Sequence, residues 1–169
     1  MRMLLTFYMI LNRVFARREK IGAPAVTRQK VLLAILAAAQ GRTYTPVQIQ
    51  KAVFLITRNL PGVVTEGPSF EFSPYDYGPF DASVYQEAEA LSKSGLAVIS
   101  PSGTGRWNVY SATDTGNDSG TEILRKMKTT HREYIENISK WVRSQGFGSL
   151  VKSIYEAYPE MKANSIFQV

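Results

Sequence analysis

An α+β fold, mainly helical, with three helices leading into a two-stranded hairpin and further helices after it, is what this sequence predicts. Three observations carry it. Apolar residues recur at helical spacing in several separate stretches, a capping motif at Thr45 marks a helix start, and two short β-prone runs flank a loop rich in turn residues. The 169 residues suit one domain, and 44% hydrophobic with 20% charged residues argues against a disordered, collagenous or membrane-spanning chain.

The elements follow in order. Thr27 is placed to cap a helix carrying Val31, Leu32, Ile35 and Leu36, which Gly41 ends. Thr45-Pro46-Val47-Gln48 is a capping box with proline at the first helical position, and Ile49, Val53, Ile56 and Leu60 continue it as one stripe up to Pro61-Gly62. Residues 61–79 are rich in proline, glycine and aromatics, with a short strand predicted at 70–72. Asp81 is the predicted N-cap of a third helix, with Phe80 and Tyr85 placed to form a hydrophobic staple, and Gly95 stops it. Residues 96–99 and 107–110 then read as a hairpin around the turn-rich loop 100–106. In its second arm Trp107 and Val109 alternate with Arg106, Asn108 and Tyr110, and Trp107 is expected to face the core.

A polar, glycine-containing stretch at 113–120 reads as a loop before one long amphipathic helix over 121–144, with the stripe Ile123, Met127, His131, Tyr134, Ile138 and Trp141. A shorter helix starts at Ser149, and Pro159 punctuates the tail. Residues 26–169 thus form one domain. Residues 1–25 read as an amphipathic extension set off by Gly22-Ala23-Pro24. The apolar run at 3–11 is too short to span a bilayer and its charges follow it, so a secretory signal or membrane anchor fits badly. A helix packing on the domain or a partner subunit, a start codon placed upstream, and a membrane-surface helix stay open for it.

Three helices and then a hairpin wing is the order of a winged helix-turn-helix domain, in which the third helix and the wing usually face DNA. Charge tests that function. Residues 1–60 hold ten basic residues against Glu19 alone, residues 61–120 two basic against eight acidic, and residues 121–169 eight against five. The formal charge of +6 therefore hides an acidic middle. The third helix, with Asp81, Glu87 and Glu89 against Lys93, opposes phosphates. Nucleic-acid contact would fall to Arg13, Arg17, Arg18, Lys20, Arg28 and Lys30, with Arg106 at the wing tip; Arg125, Lys126, Lys128 and Arg132 form a second basic cluster. The basic ends also suit the acidic middle, in the same chain or in a second copy, so a homo-oligomer is open.

Catalysis has little to build on. The chain has no cysteine and one histidine, His131, which sits on an apolar stripe and reads as a packing residue. No metal-binding loop or phosphate loop appears, so no catalytic residue, metal or cofactor is expected and the chain is not read as an enzyme. Absence of cysteine suits a reducing cytoplasm.

The segment Phe70-Glu71-Phe72-Ser73-Pro74-Tyr75-Asp76-Tyr77-Gly78-Pro79-Phe80, followed by a helix and a strand, resembles the tyrosine-glycine-proline signature of SocA-like antitoxin domains, also called Panacea domains, and of related YwgA-like bacterial proteins. Gln48-Ile49-Gln50-Lys51-Ala52-Val53-Phe54-Leu55 is similar to the family's leucine-glutamine-lysine helix, with Ile49 in place of the leucine, and residues 154–161 are similar to a tyrosine-proline tail. The resemblance covers roughly residues 28–165 in short motifs. It implies a small domain that neutralises a toxin, or adapts it for a protease, through protein contact in toxin–antitoxin or prophage settings, without catalysis.

The same segment supports protein contact on physical grounds. Gly78 permits positive φ or close approach, Pro79 fixes the entry to the next helix, and Tyr75, Tyr77 and Phe80 offer large rigid area. Tyr75 and Tyr77 share one side if the stretch is extended, with Asp76 opposite, and Glu71, Asp76 and Asp81 would make the patch acidic and suited to a basic protein. Residues Tyr75 to Phe80 are the predicted interaction site of a protein-binding module. A winged-helix transcriptional regulator that uses the basic N-terminus and the wing is the alternative.

Overall fold

The computed structural model of the protein describes residues 25–167. The predicted extension, apart from its last residue, lies outside the described residues, as do Arg13, Arg17, Arg18 and Lys20. Helix α1 (Arg28–Ala38) is capped by Thr27, whose Oγ1 accepts from the Lys30 amide at 3.3 Å. Helix α2 (Pro46–Asn59) starts on the predicted capping box: Thr45 and Gln48 each bond the other's backbone amide. Strands β1 (Ser73–Tyr75) and β2 (Gly78–Phe80) form a tight antiparallel hairpin with Tyr75 opposite Gly78, leaving Asp76 and Tyr77 as the turn. The strand predicted at 70–72 is absent. Phe70 is buried and Phe72 packs edge-on against Phe54 at 5.4 Å, so these aromatics plug the core and pairing begins one residue later.

Helix α3 (Ser83–Lys93) has its cap at Ala82, one residue after the predicted Asp81; Asp81 still bonds the helix start, its Oδ1 accepting from the Ser83 amide at 2.8 Å, and the Phe80 and Tyr85 rings meet at 5.9 Å. Strands β3 (Ala97–Pro101) and β4 (Asn108–Ala112) pair antiparallel. Tyr44, between α1 and α2, exchanges both backbone bonds with Tyr110 of β4, at 2.8 and 3.0 Å. That rung ties the wing to the helices and completes the winged-helix arrangement. It also decides which side of β4 faces in: Tyr110 and Ala112 are buried, whereas Trp107, expected in the core, is 45% exposed.

Three C-terminal helices follow, α4 (Asp114–Lys126), α5 (Thr129–Ser144) and α6 (Phe147–Ala157), then a 3-10 turn at Pro159–Lys162. Two expectations are corrected here. The stretch at 113–120 is helical, with Thr113 as its cap, and the single helix predicted over 121–144 is two helices that break where Met127 and Lys128 turn extended. The shorter helix likewise starts at Phe147 rather than at Ser149.

The misread glycines have a packing reason. Helix α1 is apolar around its circumference, with Val31 to Ala37 all buried, as befits a central helix, and α4 lies directly against it. A Cβ on Gly120 would stand 2.5 Å from the Ala37 Cβ and 2.6 Å from the Leu33 carbonyl oxygen, and one on Gly116 would overlap the Leu96 backbone. Close approach of two backbones outweighs the propensity that marks glycine as a breaker.

Gly120→Ala is therefore expected to destabilise the protein by about 1–3 kcal/mol in urea unfolding, although alanine is the better helix former. Gly148→Ala in α6, where the nearest atom to an added Cβ is Phe167 Cζ at 3.5 Å, should be neutral or gain up to about 1 kcal/mol.

Candidate functional site

The aromatic hairpin is held by two side chains of α2. Ile49, Val53 and Ile56 are buried in the core as their stripe requires, but Gln50 and Lys51 are equally buried, at 2% and 3% exposure. Gln50 bonds the Asp81 backbone with both ends of its amide: Nε2 donates to the carbonyl at 3.0 Å, and Oε1 accepts from the amide at 3.1 Å. Lys51 Nζ donates to the Pro79 carbonyl at 3.0 Å. Asp81 passes the constraint on, its carboxylate accepting from the amides of Glu71 at 2.6 Å and Ser83 at 2.8 Å.

Gly78 is required twice over. Its φ of +95° closes the turn, and a Cβ there would lie 3.2 Å from Tyr155 Cε1 and 3.6 Å from Lys51 Cε. The C-terminal segment fastens the opposite side. Ser165 Oγ and the Ile166 amide donate to the Asp76 carbonyl at 3.3 and 3.0 Å, and Asn164 Nδ2 donates to the Pro74 carbonyl at 3.1 Å.

Between hairpin and helix lies a pocket of about 260 Å³, lined by Pro46, Val47, Gln50 and Lys51 of α2, by the hairpin residues Tyr75 to Gly78 and Phe80, and by Tyr85 and Phe147. Burial draws the Lys51 ammonium down from its ordinary range to about 7, and no carboxylate pairs with it among the described residues.

The predicted interaction residues thus gather in one hairpin, but in two roles. Tyr75 and Tyr77 are exposed, at 54% and 38%, while Gly78 and Pro79 are buried against the body. The two tyrosines do not share one side of an extended strand. The turn between them sends Tyr75 onto Phe80, with ring centres 5.1 Å apart, and Tyr77 edge-on to Phe147 at the same separation, although both border the pocket. Asp81, spent on two backbone amides, leaves the acidic patch to Glu71 and Asp76.

Of the basic residues, Arg28 is engaged with Glu87 at 2.6 Å and Lys30 donates to the Ala25 carbonyl at 2.8 Å. Arg28 and Glu87 make one contact of the basic N-terminal third with the acidic middle within the chain. Arg106 is exposed in the wing loop. In the second basic cluster Arg125 and Lys126 both pair with Glu122. His131 is half-buried, and burial with Lys128 nearby lowers its pKa.

Gln50 and Lys51, which lie off the apolar stripe of α2, were not predicted as site residues. The signal that marks them is the glutamine-lysine pair in the motif quoted above. Among the described residues no group of histidine and carboxylates is arranged to hold a metal, and no helix is long and apolar enough to cross a membrane. Compared with known proteins, the chain matches no family model and no curated protein.

Lys51 ties stability to pH. Its folded pKa lies below the unfolded value, so the unfolded chain binds more protons between pH 7 and pH 10 and stability rises with pH across that window. Urea unfolding at pH 7, 8 and 9 should show wild type gaining on Lys51→Met by up to about 1.4 kcal/mol per pH unit. Parallel curves would place Lys51 in water.

Proposed function

We propose that this is a cytoplasmic protein-interaction module, antitoxin-like as the resemblance implies, which docks a partner protein on the hairpin at Tyr75 and Tyr77. The observation that carries the reading is a pair of exposed tyrosines on a hairpin whose backbone is fixed by buried side chains. Aromatic anchors on a rigid support lose little entropy on binding and dominate interface energies. Phe147 and the pocket beside them supply a concave apolar surface for a partner's side chain.

The winged arrangement favours DNA binding as a second reading, with Arg106 exposed in the wing. The surface of α3 supports it poorly. Its exposed residues are Gln86, Glu89 and Lys93, and Glu87 is occupied by Arg28. Phosphate-driven affinity needs several unpaired cations on the docking face.

Tyr75→Ala combined with Tyr77→Ala is expected to abolish co-purification of the partner from the native cell while the melting temperature stays within a few degrees, since both side chains lie at the surface outside the buried core. Unchanged capture would remove this hairpin from the interface. A gel shift with random duplex DNA should stay unshifted even at low salt; a shift that weakens as salt rises would favour the regulator.

A further inference from the structure

Protein docking on the tyrosines leaves Lys51 unexplained. An ammonium has three N–H donors; the Pro79 carbonyl takes one, and no other bond from Nζ is made among the described residues. Burying a cation without a counter-ion is costly. Where a structural ion pair would put a carboxylate, this fold puts an open pocket with aromatic and aliphatic walls. The pocket also borders the first turn of α2, a 14-residue helix whose positive end favours an anion. Its volume, about 260 Å³, suits a molecule built on a single ring or a short branched chain.

We propose that the pocket binds a small apolar monocarboxylate, with the carboxylate on Lys51 Nζ and the apolar part against Tyr75, Tyr77 and Phe147. The inference shares Tyr75, Tyr77 and Phe147 with the proposed docking surface but is argued from the buried ammonium rather than from the exposed rings. The other ionisable groups around Lys51 are Asp76, Tyr75 and Tyr77 on the hairpin, Tyr85 on α3, and Tyr155, which meets Gly78. Lys51, drawn down by burial to about 7, changes charge between pH 6 and pH 8. A carboxylate selects the ammonium form. Affinity is then highest below pH 7 and falls about tenfold from pH 6 to pH 8. Asp76 opposes the anion, and Asp76→Asn should strengthen binding.

Calorimetry with 3-phenylpropionate and its uncharged amide tests the assignment. The acid is expected to bind the wild-type protein with this pH profile, and the amide at least about tenfold more weakly, the loss of a charge-assisted bond. Lys51→Met also removes a bond that holds the hairpin, so the second variant is Val47→Trp, which fills the pocket and keeps the lysine; it should abolish binding. Equal affinity for acid and amide, affinity flat between pH 6 and 8, or no binding of the acid would overturn the proposal. So would a pentapeptide ending in phenylalanine with a free C-terminus, were it to bind more than tenfold tighter than the acid, because the carboxylate would then belong to a protein chain end. Partner capture by the tyrosines is read separately, so either proposal fails without the other.

Discussion

The pairing of Gln50 with the backbone of Asp81 is the contact on which the rest of the site depends. A single amide side chain meets both the carbonyl and the amide of one part-buried residue, and the carbonyl also accepts from the Val84 amide at 3.2 Å. It does so from the second turn of α2, whose start is fixed by a capping box and whose other face is core. Asp81 thereby gains a set position, and it holds Glu71 on one side and the first turn of α3 on the other. Hairpin and third helix are oriented by the same residue.

A second constraint operates across the molecule. The apolar residues Val31 to Ala37 of helix α1 are all buried, so each neighbour must come close, and α4 does so by giving up a side chain at Gly120, while Gly116 makes room for the Leu96 backbone. On another flank Tyr44 threads into the centre, its hydroxyl donating to the Ile35 carbonyl at 2.8 Å and bonding Ser139 of α5. Burial pushes that phenol up to about 12, so it stays neutral. The same residue carries the backbone rung to the wing, which is why hairpin, α1 and α5 keep fixed relative positions.

Much of the fold was legible because local chemistry and tertiary packing agree at those places. The Thr45 capping box, the Phe80–Tyr85 staple and the wing strands all lie where short-range patterns put them. The failures occur where distant contacts decide. Gly116 and Gly120 look like loop residues until the Leu96 backbone and α1 are placed against them, and Trp107 looks like core until the Tyr44–Tyr110 rung sets the facing of β4. At the site, the exposed tyrosines could be read from the aromatic segment, but Gln50 and Lys51 could not, since their burial is created by a hairpin about 30 positions downstream. Arg28 looked free for phosphate because its partner, Glu87, lies 59 positions away.

The clasp of residues 164–166 on the turn at Asp76 bears on the order in which the molecule matures. The hairpin is seated by Gln50 and Lys51 from behind it in the chain and by Asn164, Ser165 and Ile166 from far ahead, with Tyr155 filling the space left by Gly78. A ribosome that has finished the winged core has not yet supplied those last contacts, and long-range contacts of this kind form late. The hairpin proposed as a docking surface is thus fully seated only once residues 164–166 have been made. Chains that lack residues 164–166 would carry the wing and its helices without this clasp on the hairpin.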